Sequence, residues 1–146
     1  MNQTINIAYT PTNNSYQLAI VSMFSLLSNN KNNAVNFYVI VDESFNDKYK
    51  DEFKSLKQFK NCNSINFITA TIKYSDLARN KIVLSERMRI YELGNLIQED
   101  KILFIDAQTI VNADLLELYN TPIDGYSCAA AEYIPVSYTH LTLPTT

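Results

Sequence analysis

The chain has 146 residues, about one domain's worth, of which 47% are hydrophobic and 18% charged, with a formal net charge of −3. Such a composition builds a hydrophobic core, and it excludes both a disordered tail and the basic footprint of a nucleic-acid-binding surface. The 2 glycines, Gly94 and Gly125, exclude the three-glycine dinucleotide fingerprint and any glycine-rich phosphate loop.

Taken in chain order, apolar strands alternate with amphipathic helices. Residues 5–9 (Ile5, Asn6, Ile7, Ala8, Tyr9), halted by Pro11, predict a first strand. Residues 15–28 are apolar on nearly every side and suit a helix buried against a sheet, with Ser22 and Ser25 bonding to preceding carbonyls. Asparagines at 29, 30, 32 and 33 supply turn chemistry; the abundance of Asn in the chain is otherwise read as a coding bias. The continuous run Phe37-Tyr38-Val39-Ile40-Val41, closed by Asp42, predicts a strand buried on both faces.

A second helix is predicted next. Ser44, three residues ahead of Asp47, resembles a capping box with a shorter acid, and Phe45, Tyr49, Phe53 and Leu56 share one face. Residues 65–69 predict a third strand, and residues 85–97 a helix with Met88, Ile90, Tyr91, Leu93 and Ile97 inward. Residues 102–105 form another fully apolar strand, closed by Asp106. Asn112 is placed to cap a short helix over 113–119, which Pro122 keeps from continuing, and residues 126–131 predict a last strand. The expected fold is α/β: a mostly parallel sheet with helices on both faces, joined by right-handed crossovers. Ligands of such sheets bind outside the carboxyl ends of the strands, which directs attention to residues 10–15, 42–44 and 106–108.

Asp106 is the most informative of these positions. A carboxylate at the mouth of a buried strand suits a hard cation such as Mg²⁺ or Mn²⁺. The same residue type in the same place also caps the following turn through its own backbone, and position alone does not choose between the two. On an extended chain Asp106 and Gln108 point to one side, so both can address one ion. Asp42, by contrast, reads as a helix-start cap, and Tyr91 and Tyr119 as core residues. The single histidine, His140, lies near the end, so chemistry in the body of the chain proceeds without imidazole and no Ser-His-Asp triad can form. Cys62 and Cys128 match no metal-ligand spacing and read as reduced, partly buried thiols. The amino terminus lacks the basic region of a signal peptide, and the longest greasy stretch, residues 18–27, is too short to span a bilayer. A cytoplasmic protein with no transmembrane segment is expected.

The run Lys101-Ile102-Leu103-Phe104-Ile105-Asp106-Ala107-Gln108-Thr109-Ile110-Val111, followed by Asp114-Leu115 and Glu117-Leu118-Tyr119, resembles the metal-site segment of family 8 glycosyltransferases. Residues 5–9 with Asn13 and Asn14, residues 18–27, residues 37–42 and Glu86-Arg87-Met88-Arg89-Ile90 resemble further segments of that family, in the same order. The resemblance implies a GT-A, Rossmann-like nucleotide-sugar-binding half. It also implies transfer of a hexose from a UDP-sugar with retention, a divalent Mn²⁺ or Mg²⁺ assisting the diphosphate leaving group. On the same ground Thr10, Thr12, Asn14, Arg87, Asp106 and Ala107 would contact the donor, and Asp106 and Gln108 the metal. Asn14 would meet the uridine or ribose, the Ala107 backbone would pass the ribose, and Arg87 would approach the donor; without the resemblance, Arg87 reads as an ion-pair partner of Glu86.

Three departures from the family pattern carry consequences. Gln108 replaces the second acid of the Asp-x-Asp motif, so cation affinity falls. Thr12 stands where many relatives place an acid. Relatives also continue well beyond this length, adding acceptor-binding parts and a histidine metal ligand that His140 has neither the place nor the context to replace. This chain is therefore expected to be a donor-binding part, residues 1–135, inactive by itself. Its acceptor, a glycan, lipid-linked or protein, is unspecified, and any peripheral attachment at the inner membrane face is left to the C-terminal part. Residues 136–146 resemble the conceptual translation of a transposase-adapter sequence used in DNA library preparation. The rival reading is a native strand in which Tyr138, His140 and Thr142 alternate with Thr139, Leu141 and Leu143. The alternative function is a non-catalytic nucleotide-sugar-binding relative with a degenerate metal motif. A phospho-acceptor signalling domain would need acids after the first strand, and Tyr9-Thr10-Pro11-Thr12 supplies none.

Overall fold

The sheet is built from the alternating apolar runs of the amino-terminal half. A computed structural model describes residues 3–70 and 93–130. Strand β1 (Thr4–Tyr9) leads to helix α1 (Tyr16–Asn29), strand β2 (Ala34–Val41), helix α2 (Asp47–Phe53) with a 3₁₀ continuation over Lys54–Gln58, and strand β3 (Cys62–Thr69). A short helix α3 (Leu93–Leu96), strand β4 (Leu103–Phe104) and helix α4 (Leu116–Tyr119) follow. The strands pair in the order β3-β2-β1-β4, each pair parallel.

Helices cover both faces, as the alternation implied. On one face Ile5, Ile7 and Tyr9 of β1 and Val35, Phe37, Val39 and Val41 of β2 pack with α1, α2 and the 3₁₀ turn. All seven strand residues are fully buried, each contributing about 1.5–3 kcal/mol where its side chain is a large aliphatic or aromatic one. On the other face Ala8 and Ile40 pack with Ile97, Leu93, Leu96 and Phe104.

That second face is less apolar than the runs suggested. Asn6, Asn36 and Ser64 are register neighbours on β1, β2 and β3. Asn36 Nδ2 donates to Asn6 Oδ1 at 3.0 Å, and Ser64 Oγ donates to Asn36 Oδ1 at 2.9 Å. Asn6 in turn donates to Glu99 at 3.1 Å, and the Tyr38 hydroxyl donates to the same carboxylate. Side chains in adjacent strands satisfy one another, so a polar row is tolerated where a fully buried strand was expected.

Other expectations shift in detail. α1 buries Ala19, Ser22, Met23, Leu26 and Leu27 but leaves Leu18, Val21 and Phe24 about half exposed, because only one side of the helix meets the sheet. Helix α2 begins later than the Ser44 box implied: Asn46 is its cap, accepting the Lys48 N–H at 3.1 Å. Ser44 instead donates through N–H and Oγ to Asp42 Oδ1 at 2.9 and 2.6 Å, so Asp42 closes a turn before the helix rather than capping it. Phe45, Tyr49, Phe53 and Leu56 do face inward, and Tyr49 stacks on Tyr16 with ring centroids 3.9 Å apart. Strand β4 is shorter than residues 102–105 and half-buried. Helix α4 starts at Leu116, with Asp114 Oδ1 accepting its N–H at 2.8 Å in place of the Asn112 cap.

Residues 126–130 form no strand: Gly125 turns the chain at φ 80° and the segment that follows is exposed. Cys62 is buried and Cys128 exposed, both free, which corrects the reading of two partly buried thiols. Residues 85–92, including Arg87 and Tyr91, and the segment 131–146 lie outside the described residues. Among the described residues no helix is long and apolar enough to cross a membrane.

Candidate functional site

The strand order locates a crevice. From β1 the chain steps to β2 and β3 on one side, and β4 lies on the other side of β1. The order reverses between β1 and β4, which is where open α/β sheets bind ligands. Ile105 N–H donates to Ala8 O at 3.0 Å, so the residues leaving β1 and β4 run side by side into this crevice.

The loop leaving β1 is folded on itself. Thr10 is buried, Thr12 partly so, and Asn14 exposed. Ser15 Oγ accepts the Thr12 N–H at 2.9 Å and lies 3.1 Å from Thr12 Oγ1, while Asn14 N–H donates to Thr12 Oγ1 at 3.3 Å. Thr12 is therefore engaged in shaping the turn into α1, and the Asn14 carboxamide is the polar group this loop presents outward. Its neighbour Asn13 is committed to the β2–α2 loop, donating to Ser44 O at 2.9 Å and accepting Asn46 N–H at 2.9 Å.

The turn leaving β4 differs from the extended segment expected there. The strand ends at Phe104, and the chain bends at Ala107 and Gln108. The Gln108 N–H donates to Asp106 Oδ1 at 2.7 Å. Asp106 and Gln108 are thus brought together by an Asx turn, not by the two-residue repeat of a pleated strand, because the ladder has already ended. Asp106 and Gln108 are both exposed, whereas Ala107 is buried against the core. One oxygen of the Asp106 carboxylate serves its own loop, which is the turn-cap reading of that residue, and the side chain is exposed.

The Asx turn is fastened to α1 by side chains that the sequence reading assigned to helix carbonyls or to turns. Ser25 does donate to the preceding Ser22 O at 2.7 Å, but it also accepts Val111 N–H at 2.9 Å. Ser22 instead bridges Tyr9 OH at 2.9 Å and Thr109 Oγ1 at 3.1 Å. Asn29 donates to Val111 O at 2.9 Å, and fully buried Asn30 accepts Leu115 N–H at 2.7 Å. Asn33 donates to both oxygens of Asp114 at 3.0 and 3.2 Å. The signal for this was the spacing Ser22, Ser25, Asn29, a polar stripe at helical steps on an otherwise apolar helix.

Among the described residues no group of three or more His, Cys, Asp or Glu side chains could hold a metal ion. The turn offers a carboxylate and a neutral amide oxygen. These are hard oxygen donors, of the type that Mg²⁺ and Mn²⁺ take.

A parallel sheet reversing at β1/β4, with polar loops on its carboxyl edge, is the architecture of the GT-A glycosyltransferases, and solved structures agree. The galactosyltransferase LgtC in complex with donor and acceptor sugar analogues superposes with a TM-score of 0.65 at 16% identity, over 81% of this chain and 43% of that one. An active-site mutant of LgtC gives a TM-score of 0.67 at 17% identity, over 81% and 42%. GlyE of Streptococcus pneumoniae TIGR4 gives 0.58 at 16% identity, over 83% and 28%. The chain belongs to glycosyl transferase family 8, whose family model matches residues 6–142. It spans less than half the length of these structural relatives. No curated protein sequence matches it significantly.

Proposed function

We propose that the chain is the donor-binding half of a family 8 enzyme that transfers a hexose from a UDP-sugar with retention. The observation that carries the reading is the exposed Asp106–Gln108 turn at the β1/β4 reversal of a family 8 chain. The reading extends to the boundaries: residues 1–135 form the donor-binding part, and residues 136–146 are adapter-derived. The place of action is the cytoplasm, with attachment to the inner membrane face, where it occurs, through the C-terminal part.

Asp106 and Gln108 would hold a divalent cation, Mn²⁺ or Mg²⁺, which supplies charge neutralisation to the departing diphosphate. The remaining work belongs to the chain. Asn14 offers donors and an acceptor for a uracil edge or ribose hydroxyl, from a loop held still by Asn13 and Ser15. Thr10, at the carboxyl end of β1, and the Ala107 backbone line the nucleoside's path. Arg87 is assigned as a fixed positive group near the donor phosphate or sugar.

The test is donor turnover. Protein carried to the length of its structural relatives is incubated with UDP-glucose or UDP-galactose and Mn²⁺, and free UDP and sugar are quantified. Metal-dependent release supports the transferase; donor binding without release favours the second reading, a non-catalytic nucleotide-sugar binder. Gln108, standing where the family has an acid, is the residue that favours it.

A further inference from the structure

Four oxygens run in line from the core to the Asp106 turn. Tyr9, the last residue of β1, is fully buried, as is Ser22 on α1, and their oxygens lie 2.9 Å apart. Ser22 Oγ lies 3.1 Å from Thr109 Oγ1, and Thr109 Oγ1 donates to the Asp106 carbonyl at 2.7 Å. Hydroxyls carry one hydrogen each, which fixes the direction of every bond. Thr109 gives its hydrogen to Asp106 O, so Ser22 must donate to Thr109. Ser22 has then spent its hydrogen, so Tyr9 must donate to Ser22. The chain reads Tyr9 to Ser22 to Thr109 to the Asp106 carbonyl, each donor polarised by the one before it.

We propose that this one-directional hydroxyl chain is a positioning device that fixes the Asp106–Gln108 turn over the β1/β4 crevice, with Thr109 and Ser22 as positioning residues. The inference rests on the donor-site reading for its purpose but not for its geometry. The last sheet bond, from Ile105 N–H to Ala8 O, stops one residue short of Asp106, since β4 ends at Phe104. Beyond that bond it is held by α1: Ser22 acts through Thr109, and Ser25 and Asn29 at Val111. Between these anchors Gln108 and Ile110 stay exposed, as a rigid presentation of Asp106 and Gln108 requires. Groups that orient a ligand in this way commonly carry 10–100-fold in metal affinity.

The experiment compares wild type, Thr109→Val, Thr109→Ser and Phe53→Leu by three measurements. These are amide hydrogen exchange at Gln108, affinity for UDP with Mn²⁺ by calorimetry, and urea unfolding. Thr109→Val keeps the side-chain shape and removes the hydroxyl. It is expected to speed exchange at the Gln108 amide and to weaken UDP·Mn²⁺ binding on the order of ten-fold. Thr109→Ser restores both. Phe53→Leu, in the core under α2 and away from the turn, lowers stability while leaving Gln108 exchange and affinity close to wild type, which separates positioning from general weakening. Unchanged exchange and affinity in Thr109→Val overturn the proposal, as does an equal change of both in Phe53→Leu. Should wild type bind no UDP·Mn²⁺, the donor-site reading fails. Exchange at Gln108 then decides the hydroxyl chain alone: faster in Thr109→Val only, it stands; equal in all, it falls.

Discussion

Asn13 accepts the backbone N–H of Asn46 at 2.9 Å, and the same side chain donates to the Ser44 carbonyl at 2.9 Å. The loop after β1 is thereby tied to the loop after β2, and adjacent asparagines divide the work: Asn13 holds the scaffold and Asn14 faces out.

Substituting the two asparagines separates those roles. Asn13→Ala removes two hydrogen bonds and is expected to destabilise the fold by about 1–2 kcal/mol. Asn14→Ala, at an exposed position, changes stability by less than about 0.5 kcal/mol but weakens UDP binding. Urea unfolding with UDP titration of both variants checks the split.

Asn30 is fully buried and serves three groups. It donates to Leu26 O at 2.9 Å and Ala113 O at 3.3 Å, and accepts Leu115 N–H at 2.7 Å. Asn30→Ala leaves those backbone groups without the side chain that satisfied them, a loss of about 2–4 kcal/mol by denaturant unfolding. Asn30→Asp keeps the acceptor but sets a buried carboxylate against two carbonyl oxygens, so its loss is at least as large.

Burial, aided by the bond to Glu99, raises Tyr38 from its ordinary 10.0 to about 12. Burial also raises Tyr9, against a smaller opposing effect of Ser22. The folded state therefore holds these protons when the unfolded chain has lost them. Their contribution to stability is complete below pH 10 and is lost as pH rises towards 12. Unfolding midpoints should fall over that window, less steeply in Tyr38→Phe, with Tyr9, Tyr16 and Cys62, all shifted upward by burial, contributing to the residual slope.

Gln108 supplies a neutral oxygen where a carboxylate would add charge. Gln108→Asp is expected to bind Mn²⁺ more tightly than wild type, read by electron paramagnetic resonance of free Mn²⁺. Equal affinities would remove Gln108 from the ligand set.

The sheet was legible because its strands are long apolar runs: Ile5, Ile7 and Tyr9 against Val35, Phe37, Val39 and Val41 leave little freedom in register. The turn at Asp106 was one of two readings left open there, and the strand order with its reversal at β1/β4 appears only in the folded chain. What stayed hidden was side-chain commitment. Asn29, Asn30 and Asn33 read as turn residues or coding bias, yet each bonds the segment 111–115 across more than eighty positions of sequence. Ser44 and Asp42 both read as caps of the second helix, yet they bond each other and the cap is Asn46. Long-range partners of small polar side chains leave no periodic trace, so only the folded chain displays them.

The proposed donor site stands on the charge of Asp106. Asp106→Asn retains an oxygen to accept the Gln108 N–H, so the turn survives while the charge is lost. The decisive measurement is calorimetric titration of UDP into wild type and Asp106→Asn, with and without Mn²⁺. The account predicts metal-dependent binding in wild type, weakened at least about ten-fold in Asp106→Asn. Equal, metal-independent binding by both proteins would contradict it.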